Sequence, residues 1–330
     1  MVLKGNGKLP GVLVLGSLGH EHISRVANAI SPAEVVQLED PAGVREGDAA
    51  WGFLKNAEVI LTWGSHFGPD ILQRAGNLRW VQVLSAGVNN LLFPELVESD
   101  VVVSNAQGCY GIPIAEHCLA LMLAFARGLP AIHRQQPAKY WNRSIPVGEL
   151  HGKTLGILGL GGIGRQVAKR AKGFNMRVLA TRSNPVPYEY ADEVLPTVEL
   201  ARVLQDSDFL VVAVPLVPET EGMIGANELR SMKSSAVLIN VARGSVVDEE
   251  ALIAALREGV IAGAGLDVFE EEPLPTSSPL WMMPDVIVSP HISGTSPMSR
   301  GRVLDLFIAN YRRYVAGEEL LNVVDKGRGY

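Results

Sequence analysis

Cysteine is nearly absent, with only Cys109 and Cys118 in 330 residues. A secreted disulfide framework needs more, so the two are expected to be inert, buried thiols in a reducing compartment. Long apolar runs are missing too. No stretch of about 18 apolar residues occurs, so no segment is expected to span a membrane. Met1–Pro10, with its glycines and lysines, has no apolar signal core, so no secretory leader is expected and a cytoplasmic location is. Positive charge is not in excess: 29 Lys and Arg against 35 Asp and Glu leave a net charge of −6. That balance gives no electrostatic reason to seek nucleic acid or an anionic membrane, though a local basic site for an anionic metabolite remains open. His, Cys and carboxylates never cluster at metal-ligand spacing, so no metal is expected.

What is present is the composition of a globular protein, 47% hydrophobic and 19% charged, with length for two domains. Short apolar runs alternate with helical stretches. Val12–Leu15, Val59–Thr62, Trp80–Leu84 and Val101–Ser104 read as strands of a first series, with Pro69–Ala75 as one amphipathic stretch between them. Thr154–Leu158, Arg177–Thr181, Phe209–Pro215, Val237–Val241, Ala262–Val268 and Val286–Ser289 form a second series. This alternation predicts an α/β fold of two Rossmann-like, doubly wound parallel-sheet domains. Runs such as Phe209–Val214, apolar at every position, suit strands buried on both faces.

Pro113–Ala126 and Thr295–Val315 read as long helices that connect the two series. The final segment, Gly317–Tyr330, has too little core to stand alone and must dock on something earlier. The domain organisation is therefore expected to be discontinuous. Residues 1–110 and 294–330 would form a substrate domain and 111–293 an inserted dinucleotide-binding domain. Crossings are expected near Gln107–Ile112 and Ser293–Pro297, with ligands in the cleft between. Residues 128–148, with Pro130, Pro137, Pro146 and the pair Tyr140–Trp141, are too irregular for a core element. They read either as a surface loop or as an arm that packs on a second subunit.

The strand Thr154–Leu158 runs into Gly159, Gly161 and Gly164 in the spacing G-x-G-x-x-G, and a helical stretch, Arg165–Lys172, follows. The first glycine makes the tight turn, the second lets a pyrophosphate approach the backbone, and the third lets helix and strand pack closely. The spacing alone is a weak signal; the strand before and the helix after supply its context. The next strand ends at Thr181-Arg182-Ser183, where an NAD site usually presents Asp or Glu to the ribose. A guanidinium flanked by two hydroxyls suits a 2′-phosphate instead. NADP is the preferred reading; an ordinary surface arginine with NAD bound less selectively is the alternative.

Three further segments stand at strand ends. Asn240–Asp248 carries Arg243, Gly265–Pro273 carries Asp267 and Glu272, and Ser289–Gly294 carries His291. With these segments, the loop Leu84–Asn89, the stretch Gly111–His117, the glycine fingerprint and Val214–Thr220, the chain resembles the D-isomer-specific 2-hydroxyacid dehydrogenases along nearly its whole length. Within that family it is similar to the glyoxylate/hydroxypyruvate reductase-like, NADP-preferring members.

The resemblance implies hydride transfer from NAD(P)H to a small 2-keto acid, giving a D-2-hydroxy acid. It implies that Arg243 binds the substrate carboxylate and carbonyl, that His291 is the general acid/base, and that Glu272 orients its imidazole. It implies Asp267 on the nicotinamide carboxamide and the Gly162 and Ile163 backbone on pyrophosphate. Val214, Pro215, Thr220, Val241, Ala242 and Gly294 would line the cofactor. Ala86 and Gly87 would hold the substrate carboxylate, with Trp63 and Gly64 bordering it, and Trp141 would reach a neighbour's cleft in a homodimer. Glu272 stands where formate-oxidising relatives have Gln, which argues against that activity. Glu270 and Glu271 beside it read as solvated charges, and His20, His22, His66, His117, His133 and His151 as histidines without a role in the chemistry. A nucleotide-sensing corepressor on the same scaffold is the competing function.

Overall fold

The computed structural model describes residues 9–89 and 91–329. Most of the segment on which the absence of a leader was read, Met1–Lys8, lies outside them. The chain divides into two compact units: Met1–Cys109 with Ser296–Tyr330, and Tyr110–Thr295.

The first unit holds β1 (Val12–Leu15), β2 (Val35–Leu38), β3 (Val59–Thr62), β4 (Trp80–Val83) and β5 (Val102–Ser104). They form a parallel sheet in the order β2-β1-β3-β4-β5. β1, β3 and β4 are buried at every position, which suits their nearly unbroken apolar sequence. The long helix Ser299–Ala316, from the unit's second chain segment, packs its aromatic face on this sheet. Trp80 stacks on Phe307 at 5.5 Å and on Tyr314 at 5.6 Å between ring centroids. Beyond that helix the chain returns to the edge strand: Val324 N–H donates to Val103 C=O at 2.8 Å, covering a row of backbone groups that would otherwise be open.

The second unit holds β6 (Thr154–Leu158), β7 (Arg177–Thr181), β8 (Glu193–Leu195), β9 (Phe209–Val212), β10 (Val237–Asn240), β11 (Gly263–Leu266) and β12 (Val286–Val288). Their order is β12-β11-β10-β9-β6-β7-β8, again parallel throughout. The order reverses between β6 and β9, and ligands of such sheets bind outside the strands' carboxyl ends at that reversal. Register matters as much as order. Asn240 pairs with Leu266 and Leu266 with Val288, so β10, β11 and β12 end level with one another. The segments bearing Arg243, Glu272 and His291 therefore leave the sheet side by side. The expected α/β class with two parallel-sheet domains is what the chain forms.

Several boundaries differ from the sequence reading. β9, β10 and β11 stop at Val212, Asn240 and Leu266, earlier than their apolar runs suggest, because the residues beyond turn out of the sheet. β2 and β8 went unread; both are edge strands only partly buried along their length. The helix expected from Pro113 begins at Gly111. Residues 128–148 are not wholly irregular: Gly128, left-handed at φ 64°, starts a helix, Leu129–Gln135, with Pro130 in its first turn. Cys109 and Cys118 are both buried, and burial pushes both thiols above their ordinary value. Among the described residues no single helix is long and apolar enough to cross a membrane.

Candidate active site

The glycine fingerprint forms a cradle at the end of β6. Gly159 has φ 96°, and a Cβ there would stand 2.7 Å from the Ala213 carbonyl oxygen. A Cβ on Gly164 would collide with the Gly159 carbonyl, so helix Gly162–Lys172 meets the strand only because that residue has no side chain. Gly161 is different: a Cβ there would meet nothing within 4 Å. That side of the turn is open. Among the described residues no side chain caps the helix's first turn, which leaves N–H groups at Gly162 and Ile163 for an anion. These features fit the pyrophosphate of a dinucleotide.

Thr181, 2% exposed, supports the turn through its backbone. Its carbonyl accepts the N–H groups of Gly159 at 3.2 Å and Leu160 at 3.0 Å, which holds the glycine turn in place. Arg182, partly buried, and Ser183, exposed, lie at the tip. Arg182 ties its backbone N–H to Leu195 C=O at 2.9 Å, and its guanidinium has no carboxylate partner among the described residues. Across the cradle, Thr220 Oγ closes the Val214–Thr220 loop by donating to Pro215 C=O at 2.6 Å.

Beyond β10, β11 and β12 the three expected reaction residues come together. His291 Nδ1 lies 2.6 Å from Glu272 Oε2. A carboxylate only accepts, so Nδ1 carries the proton and Nε2 is left to face solvent or substrate. The His291 side chain is 49% exposed, which leaves that edge reachable. Its φ of 51° is unusual for a residue with a side chain, and it sits in a tight turn closed from its N–H to Ser289 C=O at 3.0 Å. Glu272 is itself held: Phe269 N–H donates to Oε1 at 3.1 Å. Arg243 is half-buried and within electrostatic reach of this carboxylate. Burial lowers the guanidinium from its ordinary value, and Glu272 opposes that shift.

The three consecutive glutamates separate by contact. Glu272 takes the imidazole, while Glu270 accepts the Glu249 N–H at 3.1 Å, and Glu249 accepts the Glu270 N–H at 3.3 Å. That reciprocal clamp joins the Arg243 segment to the Glu272 segment. Gly244 tightens the same seam, since a Cβ there would overlap the Phe269–Glu270 peptide. Sequence reasoning missed Asn240. This side chain, 1% exposed, donates to Arg243 C=O at 3.0 Å and accepts from Ala242 N–H at 3.1 Å, shaping the turn that presents Arg243. Its signal was an amide at the end of an apolar strand, three residues before the arginine. Val241 and Ala242 are buried beside it, and Gly294 abuts the Tyr110 ring, 3.3 Å from where its Cβ would be.

In the first unit, the carbonyls of Ala86 and Gly87 are occupied, accepting from Asn105 Nδ2 and Ser85 Oγ at 2.8 Å each. Their N–H groups have no acceptor among the described residues. Trp63 lies at the end of β3 under the Arg300 guanidinium, 5.9 Å from the ring centroid, and Gly64 follows it with φ 87°. Trp141 is 89% exposed.

Comparison with known proteins places this arrangement. A family model described as "D-isomer specific 2-hydroxyacid dehydrogenase, NAD binding domain" matches residues 119–293. A glyoxylate reductase of Korarchaeum cryptofilum is 38% identical over 265 residues, 78% of this chain and 79% of that protein. A glyoxylate/hydroxypyruvate reductase B of Yersinia pestis is 37% identical over 279 residues, 82% of this chain and 85% of that protein. Among solved structures, a D-isomer specific 2-hydroxyacid dehydrogenase from Xanthobacter autotrophicus Py2, in complex with NADPH and MES, superposes with a TM-score of 0.85 at 35% identity, covering 97% of this chain and all of that one. The molecule is an NAD(P)-dependent oxidoreductase of the kind that acts on CH–OH groups. The chain belongs to the D-isomer specific 2-hydroxyacid dehydrogenase family.

Proposed function

We propose that this enzyme reduces a small 2-keto acid of the glyoxylate or hydroxypyruvate type to the D-2-hydroxy acid, with NADPH as preferred reductant. The observation that carries the reading is the His291–Glu272 pair at 2.6 Å, with Arg243 electrostatically coupled to the same carboxylate. The glycine cradle would hold a nicotinamide cofactor, which would supply hydride for the keto carbon. The chain's own groups do the rest. The Arg243 guanidinium forks onto the substrate carboxylate and carbonyl oxygen, fixing the ketone's orientation and drawing electron density toward that oxygen. The N–H groups of Ala86 and Gly87 hold the carboxylate, with Trp63 and Gly64 bordering it. Protonated His291 donates from Nε2 to the oxygen as negative charge develops there. Glu272 keeps the ring in the tautomer and direction that this donation needs. In the oxidative direction His291 starts neutral and accepts the proton.

Asp267 takes an N–H of the nicotinamide carboxamide, and Val214, Pro215, Thr220, Val241, Ala242 and Gly294 line the same end. The NADP preference rests on Arg182 and Ser183 and on the lack of a carboxylate at the end of β7. Arg182→Asp should lower kcat/KM with NADPH roughly 10–100-fold, the value of one charge-assisted contact, and leave or improve that with NADH. Retained NADPH preference in a side-by-side assay would assign the phosphate to another group. The apolar exposure of Leu129, Ile132, Tyr140, Trp141 and Val147 supports residues 128–148 as the arm of a homodimer, with Trp141 reaching the partner. Sedimentation should then give twice the chain mass; a monomer at every concentration removes the arm reading.

The test of the whole is a panel of keto acids (glyoxylate, hydroxypyruvate, pyruvate and bulkier aryl or branched acids) followed through cofactor oxidation with NADPH and NADH. Turnover is expected with the smallest acids. Tight cofactor binding with no turnover on any of them would instead favour a nucleotide-sensing binding protein.

A further inference from the structure

Asp267, at the end of β11, is wholly buried, yet its carboxylate is surrounded by donors. Ser289 Oγ lies 2.6 Å from Oδ1, Ile292 N–H 3.0 Å from Oδ1, and Ser293 N–H 2.9 Å from Oδ2. A carboxylate offers about four acceptor positions, two on each oxygen. Three are filled, which leaves one on Oδ2. The position of that last lone pair depends on how firmly Oδ1 is anchored.

The anchor has a second stage. His117 Nε2 lies 2.9 Å from Ser289 Oγ. Ser289 has one hydroxyl proton, and the short contact to Asp267 claims it; the Leu266 carbonyl, at 3.4 Å, is too distant to compete. Ser289 Oγ can therefore only accept from the imidazole, and His117 Nε2 must carry a hydrogen. The chain of donation runs from His117 Nε2–H to Ser289 O–H to Asp267 Oδ1. The ring does not touch the carboxylate directly, standing 3.9 Å from Oδ1. His117 projects from helix Gly111–Ala126 with its side chain 23% exposed, so most of the ring is withdrawn from water. Its Nε2 finds its hydrogen-bond partner in Ser289, and through it Asp267.

We propose that His117 is a positioning residue for the nicotinamide end of the cofactor site, acting through Ser289 to fix the direction in which Asp267 presents its free lone pair. The inference rests on the reading of Asp267 as the acceptor for the carboxamide, and the experiment separates the two. Dissociation constants are measured on the full chain for NADPH and for 2′-phospho-ADP-ribose, the same molecule without its nicotinamide ring. His117→Leu and the isosteric Ser289→Ala are each expected to weaken NADPH about tenfold, the scale of one hydrogen bond to a charged group, and to leave the ring-less ligand unchanged. In the unliganded parent, ¹⁵N spectra should show a hydrogen on His117 Nε2. Equal weakening of both ligands would reduce His117 to a structural residue. Unchanged NADPH binding in Ser289→Ala, or a bare Nε2 in the parent spectrum, would overturn the relay. Asp267→Asn reports on the underlying reading: if it binds NADPH normally, Asp267 has no cofactor role and the relay falls with it, whereas a weakened Asp267→Asn beside normal His117→Leu and Ser289→Ala removes the relay alone.

Discussion

Replacing His291 with alanine is expected to lower kcat roughly 10²–10⁴-fold, the range over which a positioned general acid contributes. NADPH binding should hardly change. The glycine cradle, Arg182 and the Val214–Thr220 loop stand on other strand ends, and none hydrogen-bonds to the His291 side chain. The fold should also hold, since the side chain is 49% exposed and removing it leaves no cavity in the core. What is lost is the proton at Nε2. Water can deliver one to the developing alkoxide, but without fixed placement, and the loss should be largest under conditions where proton delivery limits the rate. A variant with near-normal kcat would remove His291 from the mechanism and leave its pairing with Glu272 as structure only.

Arg243→Gln carries the second large effect. A half-buried guanidinium is asked to bind the carboxylate and to polarise the ketone, and glutamine retains neither the charge nor the fork. The expected loss in kcat/KM is about 10²–10⁴, corresponding to roughly 3–5 kcal/mol for an unpaired buried charge contact. How the loss divides is informative. If the arginine only holds the carboxylate, KM rises and kcat stands; if it also polarises the carbonyl, kcat falls as well. Both should move. Arg243→Lys restores charge without planar bidentate geometry, and should recover binding more than turnover. Measured kcat and KM for the two variants on one keto acid distinguish these outcomes. A rise in KM alone would confine Arg243 to substrate capture.

Much of this was legible before any coordinates. β1, β3, β6 and β7 begin and end where the sequence pattern places them; the runs of β1 and β6 are bounded at both ends by glycine or charge, Gly11 and Gly16 for one, Lys153 and Gly159 for the other. β9 and β10 were read too long because Ala213–Pro215 and Val241 are apolar yet leave the sheet; Val241 stays buried, Ala213 and Val214 are half-buried and Pro215 is exposed. β2 and β8 escaped because an edge strand half-covered by solvent has no strong pattern. In the site, residue types at strand ends pointed to Arg243, Glu272 and His291, but only the order β12-β11-β10 makes them neighbours. Thr181 has a task its position beside Arg182 does not announce: its carbonyl holds the glycine turn. Asn240, Ser289 and His117 were missed for a common reason: each acts by holding a neighbour, and no spacing in the chain announces that.

The pairing of His291 with Glu272 as one acid–base unit is tested most directly by kcat of the double variant His291→Ala/Glu272→Gln against the two single variants. With the imidazole gone, the carboxylate has nothing to orient, so the double variant should be no slower than His291→Ala alone, although Glu272→Gln by itself is impaired. If the two losses multiply, Glu272 acts independently of His291, and the account of the site given by their 2.6 Å contact is wrong.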